Sequence, residues 1–221
     1  MKFKEDILKL STDIIENVLI KSDALYNEKF YKNKIKKLNI NNINNISSEE
    51  RLIELNHILS STNSRARTLF YINKNHNYSN IRITFLYSPD LKASGFSDYN
   101  KQTITVNLYE ISSMLELQST LIHELTHLKD WDYSSKLMNE YYDDGINYFT
   151  HPLEIKPWLM ETWFYQQQYH KSFEETIGDL LRMYCDESQI AEIIDSYRFT
   201  IEMNEFYRNT FGCLLENQNC A

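Results

Sequence analysis

The run Leu121-Ile122-His123-Glu124-Leu125-Thr126-His127-Leu128 decides how this chain is read. Together with Leu117, its apolar positions recur at helical spacing, so the run belongs to a helix. Residues four apart on a helix stand one above the other on a single face. His123 and His127 therefore project together, and two imidazoles so placed can grip one metal ion. Glu124 follows the first histidine, about 100° round the axis. From there a carboxylate can reach water on the metal without occupying a coordination position, as a general base must. Two ordinary surface histidines would be the plainer reading. The strongly apolar helix around them and their common stripe favour the metal.

Working outward, Ser112 or Ser113 can cap this helix, which is expected to span 113–130. Upstream, Ile81 to Tyr87 alternates as a strand would, and Pro89 closes it. Gly95 to Asn100 reads as a turn, and Lys101 to Leu108 alternates again with Ile104, Val106 and Leu108 on one face. Two antiparallel strands joined by a loop are expected there, as part of a small mixed sheet. Nearer the start, Ile7, Leu10, Ile14, Val18 and Leu25 keep helical spacing. An Asn/Ile tract over 38–46 then reads as a connector, because Asn side chains compete for backbone hydrogen bonds. Ser47 and Glu50 form a capping box before Leu52, Leu55 and Leu59.

Downstream, 132–150 is polar and aromatic, with Gly145 as its pivot. A helix is expected over 152–170. Ser172 and Glu175 form a second capping box, opening a helix to about Cys185, and a last helix runs from Asp186 to about Phe211. The expected fold class is α+β, mostly helical, with an N-terminal helical segment and Asn-rich connector at 1–46. A catalytic core at 47–171 and C-terminal helices at 172–221 complete it.

Composition narrows the alternatives. With 4 Gly and 3 Pro in 221 residues, turn-rich β-sandwiches and propellers are disfavoured. A net charge of -8 argues against a nucleic-acid partner, since phosphates call for cations. Cys185, Cys213 and Cys220 form no CxxC pair, so free thiols and a reducing compartment are expected. Nothing reaches the roughly 20 apolar residues of a membrane span. Ile7 to Ile20 is broken by Lys9, Asp13 and Glu16, unlike a signal peptide. The cytoplasm is the expected address.

The pentapeptide His-Glu-Leu-Thr-His resembles that of the zincin metallopeptidases, in the form found in thermolysin-like members. The stretch from Ile104 to Leu128 is similar to their strand-then-helix core, and the likeness covers about 80–170. It implies a hydrolase with one Zn²⁺ per chain, held by His123, His127 and a third ligand downstream, with Glu124 as base. The substrate would be a protein or peptide, which a sheet edge could bind as an added strand. Metzincins carry Gly and His three and six positions after the second histidine. Asp130 and Tyr133 stand there, which leaves the gluzincin pattern of a Glu from a following helix.

Two glutamates qualify. Glu154 lies in a stretch resembling the Pro-x-Glu-Ile of small phage and bacterial zincins, a likeness that makes phage encoding conceivable. Glu161 becomes the better placed if Pro157 opens the helix instead. His151, Asp143 and Asp144 remain further options. Asp130 could hold the outer ring nitrogen of a histidine, and Tyr148, His151 or Tyr165 could serve an oxyanion. The rival expectation is a non-catalytic zincin-fold interaction or regulatory protein with a structural zinc; a zinc amidase is a third.

Overall fold

Helical periodicity and well-formed caps set most of the architecture, and one short sheet interrupts it. The computed structural model describes residues 2–15, 52, 66–67, 81–129 and 146–216. In chain order the elements are α1 (Lys2–Ile15), β1 (Ala66–Arg67), β2 (Arg82–Leu86), β3 (Gly95–Asp98), β4 (Thr103–Asn107) and α2 (Met114–Lys129). Then follow α3 (Ile146–Thr150), α4 (Pro152–Tyr169), α5 (Phe173–Leu181), α6 (Glu187–Met203) and α7 (Glu205–Leu215). The fold class is α+β and mostly helical. No helix among the described residues is long and apolar enough to cross a membrane. The Asn/Ile tract, the Ser47–Glu50 capping box and the polar stretch up to Gly145 lie outside the described residues, although Leu52 is helical and buried.

The chain divides into two compact units, residues 9–121 and residues 1–8 with 122–221. The first holds the sheet, of strand order β1-β2-β4-β3. The strands expected at 81–87 and 101–108 are present but pair parallel, Ile83 opposite Ile104 and Phe85 opposite Val106. The expected antiparallel pairing was wrong because Gly95–Asp98, read as a turn, is itself a strand. It pairs antiparallel with β4, from Gly95 opposite Val106 to Asp98 opposite Thr103. The reversal falls at 99–102 instead. There Gln102 takes φ 50, and Asp98 accepts from the Lys101 backbone N–H at 3.1 Å.

Asn107 makes this path workable. Fully buried at the end of β4, it donates to the carbonyls of Ser88 at 3.0 Å and Leu91 at 2.8 Å. It also accepts from the Ser88 N–H at 2.9 Å, so one side chain satisfies the backbone of the β2–β3 connection. Ser113 caps α2, accepting from the Glu116 N–H at 3.1 Å, while the Glu116 carboxylate takes the Ser112 N–H at 2.7 Å.

In the second unit, α3 to α7 bury Leu159, Met160, Phe164, Phe173, Ile177, Leu181, Ile190, Ile193, Tyr197, Phe211 and Leu214. The Ser172 capping box opens α5, and a further one at Asp186, with Gln189, opens α6. The single last helix expected from Asp186 to about Phe211 is two helices. Asn204 adopts φ -108 and ψ 121, and its side chain accepts from the N–H groups of Phe206 and Tyr207. A short amide that can cap a new helix ends the old one. The expectation of three free thiols holds for buried Cys185, whereas Cys213 is disulfide-bonded.

Asn107→Ala would remove the side-chain hydrogen bonds to the Ser88 N–H and to the half-buried carbonyls of Ser88 and Leu91. A stability loss of about 2–4 kcal/mol is expected in urea unfolding; a loss below about 0.5 kcal/mol would mean that the loop does not depend on this side chain.

Candidate metal centre

α2 supplies two imidazoles by its periodicity alone. The rings of His123 and His127 lie 4.9 Å apart, inclined at 64°, and their Nε2 atoms are 3.1 Å from each other. α4 supplies the carboxylate. His151 is its N-cap, with Nδ1 accepting from the Leu153 N–H at 3.3 Å, and Pro152 is suited to the first turn, where a missing N–H costs nothing. Glu154 thus falls in the first turn. Its Oε2 is 3.2 Å from His123 Nε2 and its Oε1 is 3.3 Å from His127 Nε2.

These three residues form the group of His, Cys, Asp and Glu that could hold a metal among the described residues. All three are buried. In a tetrahedral zinc site with bonds of about 2.0–2.1 Å, neighbouring ligand atoms stand about 3.3 Å apart. The three residues form a ligand triangle in which the two Nε2 atoms are 3.1 Å apart and different oxygens of Glu154 lie 3.2 and 3.3 Å from them, contacts close to that spacing. Two imidazoles and one carboxylate suit zinc or a similar first-row dication better than the oxygen-seeking calcium or magnesium. The residues fit a zinc ion.

Glu161 lies behind this face. Its Oε1 accepts from Nδ1 of His123 at 2.6 Å, which puts a ring proton on Nδ1 and turns Nε2 towards Glu154 and His127. Glu161 follows Glu154 by seven residues, two turns along the same face of α4. Burial pushes the His123 imidazole down, but hydrogen bonds and charges from Glu154 and Glu161 outweigh it and hold the group well above its ordinary value. Burial likewise raises Glu154, and the two histidines more than reverse this, holding it well below the usual carboxylate range. Both directions describe a cluster that favours positive charge among its members.

The other sequence candidates fall differently. Glu124 is buried on α2, next to His123. Glu161 is an orienting carboxylate on a ligand's outer nitrogen rather than a member of the ligand triangle. His151 is occupied as a helix cap and is not in that triangle either. Tyr148 is half-buried with its ring edge-on to Phe149, and Tyr165 stacks on Tyr169 at 6.0 Å. Asp130, Asp143 and Asp144 lie outside the described residues. The sequence reading missed the pairing of Glu161 with His123, although the seven-residue spacing from Glu154 was a signal for it. Trp158 packs edge-on to His123 at 5.3 Å. Tyr197, fully buried, donates to the Phe149 carbonyl at 2.9 Å, and burial pushes its hydroxyl well above the ordinary range.

No protein family, curated protein or solved structure matches this chain.

Two substitutions test the supports without touching a ligand. Glu161→Ala should weaken zinc affinity about 10–100-fold in competition with a chelator, leaving the stoichiometry unchanged. His151→Ala should also weaken it, by fraying the turn that carries Glu154, and His151→Asn should restore it because Asn caps as well. Failure of Asn to restore affinity would give His151 a role beyond the cap.

Proposed function

We propose that this chain is a zinc-dependent peptidase of the zincin type, with His123, His127 and Glu154 as ligands and Glu124 as general base. The observation that carries the reading is the position of Glu154. A carboxylate from the first turn of α4 comes within 3.2 and 3.3 Å of both imidazoles of the His-Glu-Leu-Thr-His run. That completes a two-histidine, one-glutamate set in which the histidines share a helix with the base and the glutamate comes from the next, and such a set leaves a coordination position open.

Zinc at this point would supply a Lewis acid for the scissile carbonyl and lower the pKa of the attacking water towards about 7. The remaining work belongs to the chain. Glu124 removes the proton from the attacking water and returns it to the departing amine. Glu161 keeps His123 in the tautomer that presents Nε2. Burial of the triad lowers the local dielectric, so each of these charges acts more strongly than in water. The substrate is a protein or peptide.

One observation favours the rival, a metal used as a staple in a non-catalytic protein. His123, His127 and Glu154 are only 7%, 9% and 4% exposed. Against it stands Glu124, for which a staple has no use.

Glu124→Gln separates the two. The peptidase reading expects the variant to keep its zinc and to lose about 10²–10⁴-fold in turnover of a peptide library. Zinc-loaded wild type that cleaves nothing in the library, or a variant as active as wild type, would defeat the mechanism.

A further inference from the structure

Among the described residues, two buried side-chain polar atoms have no hydrogen-bond partner, Nε1 of Trp158 and Nε1 of Trp163. A buried indole N–H ordinarily finds an acceptor, so each calls for a reason. Their settings differ. Trp163 lies beneath Lys4, whose Nζ is 5.2 Å from the ring centroid, and it is about 140° round α4 from Trp158.

Trp158 belongs to the metal centre. Its ring stands edge-on to His123, with centroids 5.3 Å apart and planes at 82°. It also packs against Phe149, with centroids 5.2 Å apart. It follows Glu154 by four residues and precedes Glu161 by three, so the three side chains share one face of α4. Both carboxylates are already engaged, Glu154 with Nε2 of His123 and Glu161 with Nδ1. The indole is thus held against a ligand ring, between two acidic residues on its own helix, and neither accepts its proton.

We infer that the Trp158 indole N–H is a binding donor kept for a substrate oxygen at the metal centre, a carbonyl or carboxylate of the bound peptide. This rests on the peptidase reading of the centre. An indole N–H only donates, so it selects an oxygen lone pair and gives nothing to an amine or a cation. Packed against His123 and Phe149, it needs little reorganisation when negative charge develops on that oxygen. It carries no proton that titrates in the working range, so its contribution stays constant with pH, unlike that of a histidine donor.

The probe is acetohydroxamate, a small oxygen chelator of zinc, added to zinc-loaded protein with ¹⁵N-labelled tryptophan. The Trp158 indole signal is identified by its loss in Trp158→Phe, which keeps an aromatic ring against His123. The expected result is a downfield move of the Trp158 indole proton as the probe binds, with the Trp163 signal unmoved. Acetohydroxamate affinity should also fall about ten-fold in Trp158→Phe, at unchanged zinc content and unchanged Tm. An unmoved Trp158 signal with the probe bound, or equal affinities, would overturn the assignment. So would failure of the probe to bind the zinc-loaded wild type. The wild-type measurement stands even where Trp158→Phe folds poorly, because the Trp158 signal can then be assigned from its contacts with the His123 ring. Wild type that takes up no zinc would instead overturn the metal centre itself, and that is seen before the probe is added.

Discussion

Nε2 of His123 and Nε2 of His127 are held 3.1 Å apart in a buried place, with the two carboxylate oxygens of Glu154 at 3.2 and 3.3 Å from them, one to each. Such atoms repel one another unless positive charge sits among them, and burial removes the water that would otherwise screen them. A fold that keeps them together must constrain each one from behind. α2 does this for the histidines through an unbroken helix from Met114 to Lys129. The Glu161 carboxylate, 2.6 Å from Nδ1, fixes the ring of His123.

The constraint on Glu154 is the start of α4. His151 caps it, Pro152 enters at a position that needs no N–H, and Glu154 falls where the N-terminal end of the helix dipole favours a carboxylate. Pro157 lies inside this helix and cannot donate to the Leu153 carbonyl. The helix nevertheless continues, and the positions of Glu154, Trp158 and Glu161 stay in phase on one face. The candidate metal ligand Glu154, the packing of Trp158 on His123 and the Glu161 carboxylate therefore come from one helix. Moving its start by a single residue would turn all three away together.

Much of this was legible in the chain. The paired histidines, their helix, the helix at 152–170 and the Ser172 capping box are written in local pattern, where spacing and side-chain chemistry decide the outcome. Glu154 was legible through the stretch around it, and Pro152 explains why the helix begins before it rather than at Pro157. The parallel pairing of β2 with β4 was not, because it depends on β3 lying beyond β4 and on the hydrogen bonds of Asn107 across 16 to 19 residues. No local alternation records such a crossover. The break at Asn204 was missed for a different reason. Apolar spacing continues through it, and one side chain's bonds to Phe206 and Tyr207 decide against continuity. The pairing of Glu161 required knowing which ring nitrogen of His123 turns towards it, which helical phase alone leaves open.

The most direct test of the account is the zinc content per chain of protein purified without added metal, measured beside His123→Ala and Glu154→Ala. The account predicts about one equivalent in the native chain and its loss in both variants. Native protein that holds no zinc after reconstitution, or Glu154→Ala that binds it as tightly as wild type, would contradict it.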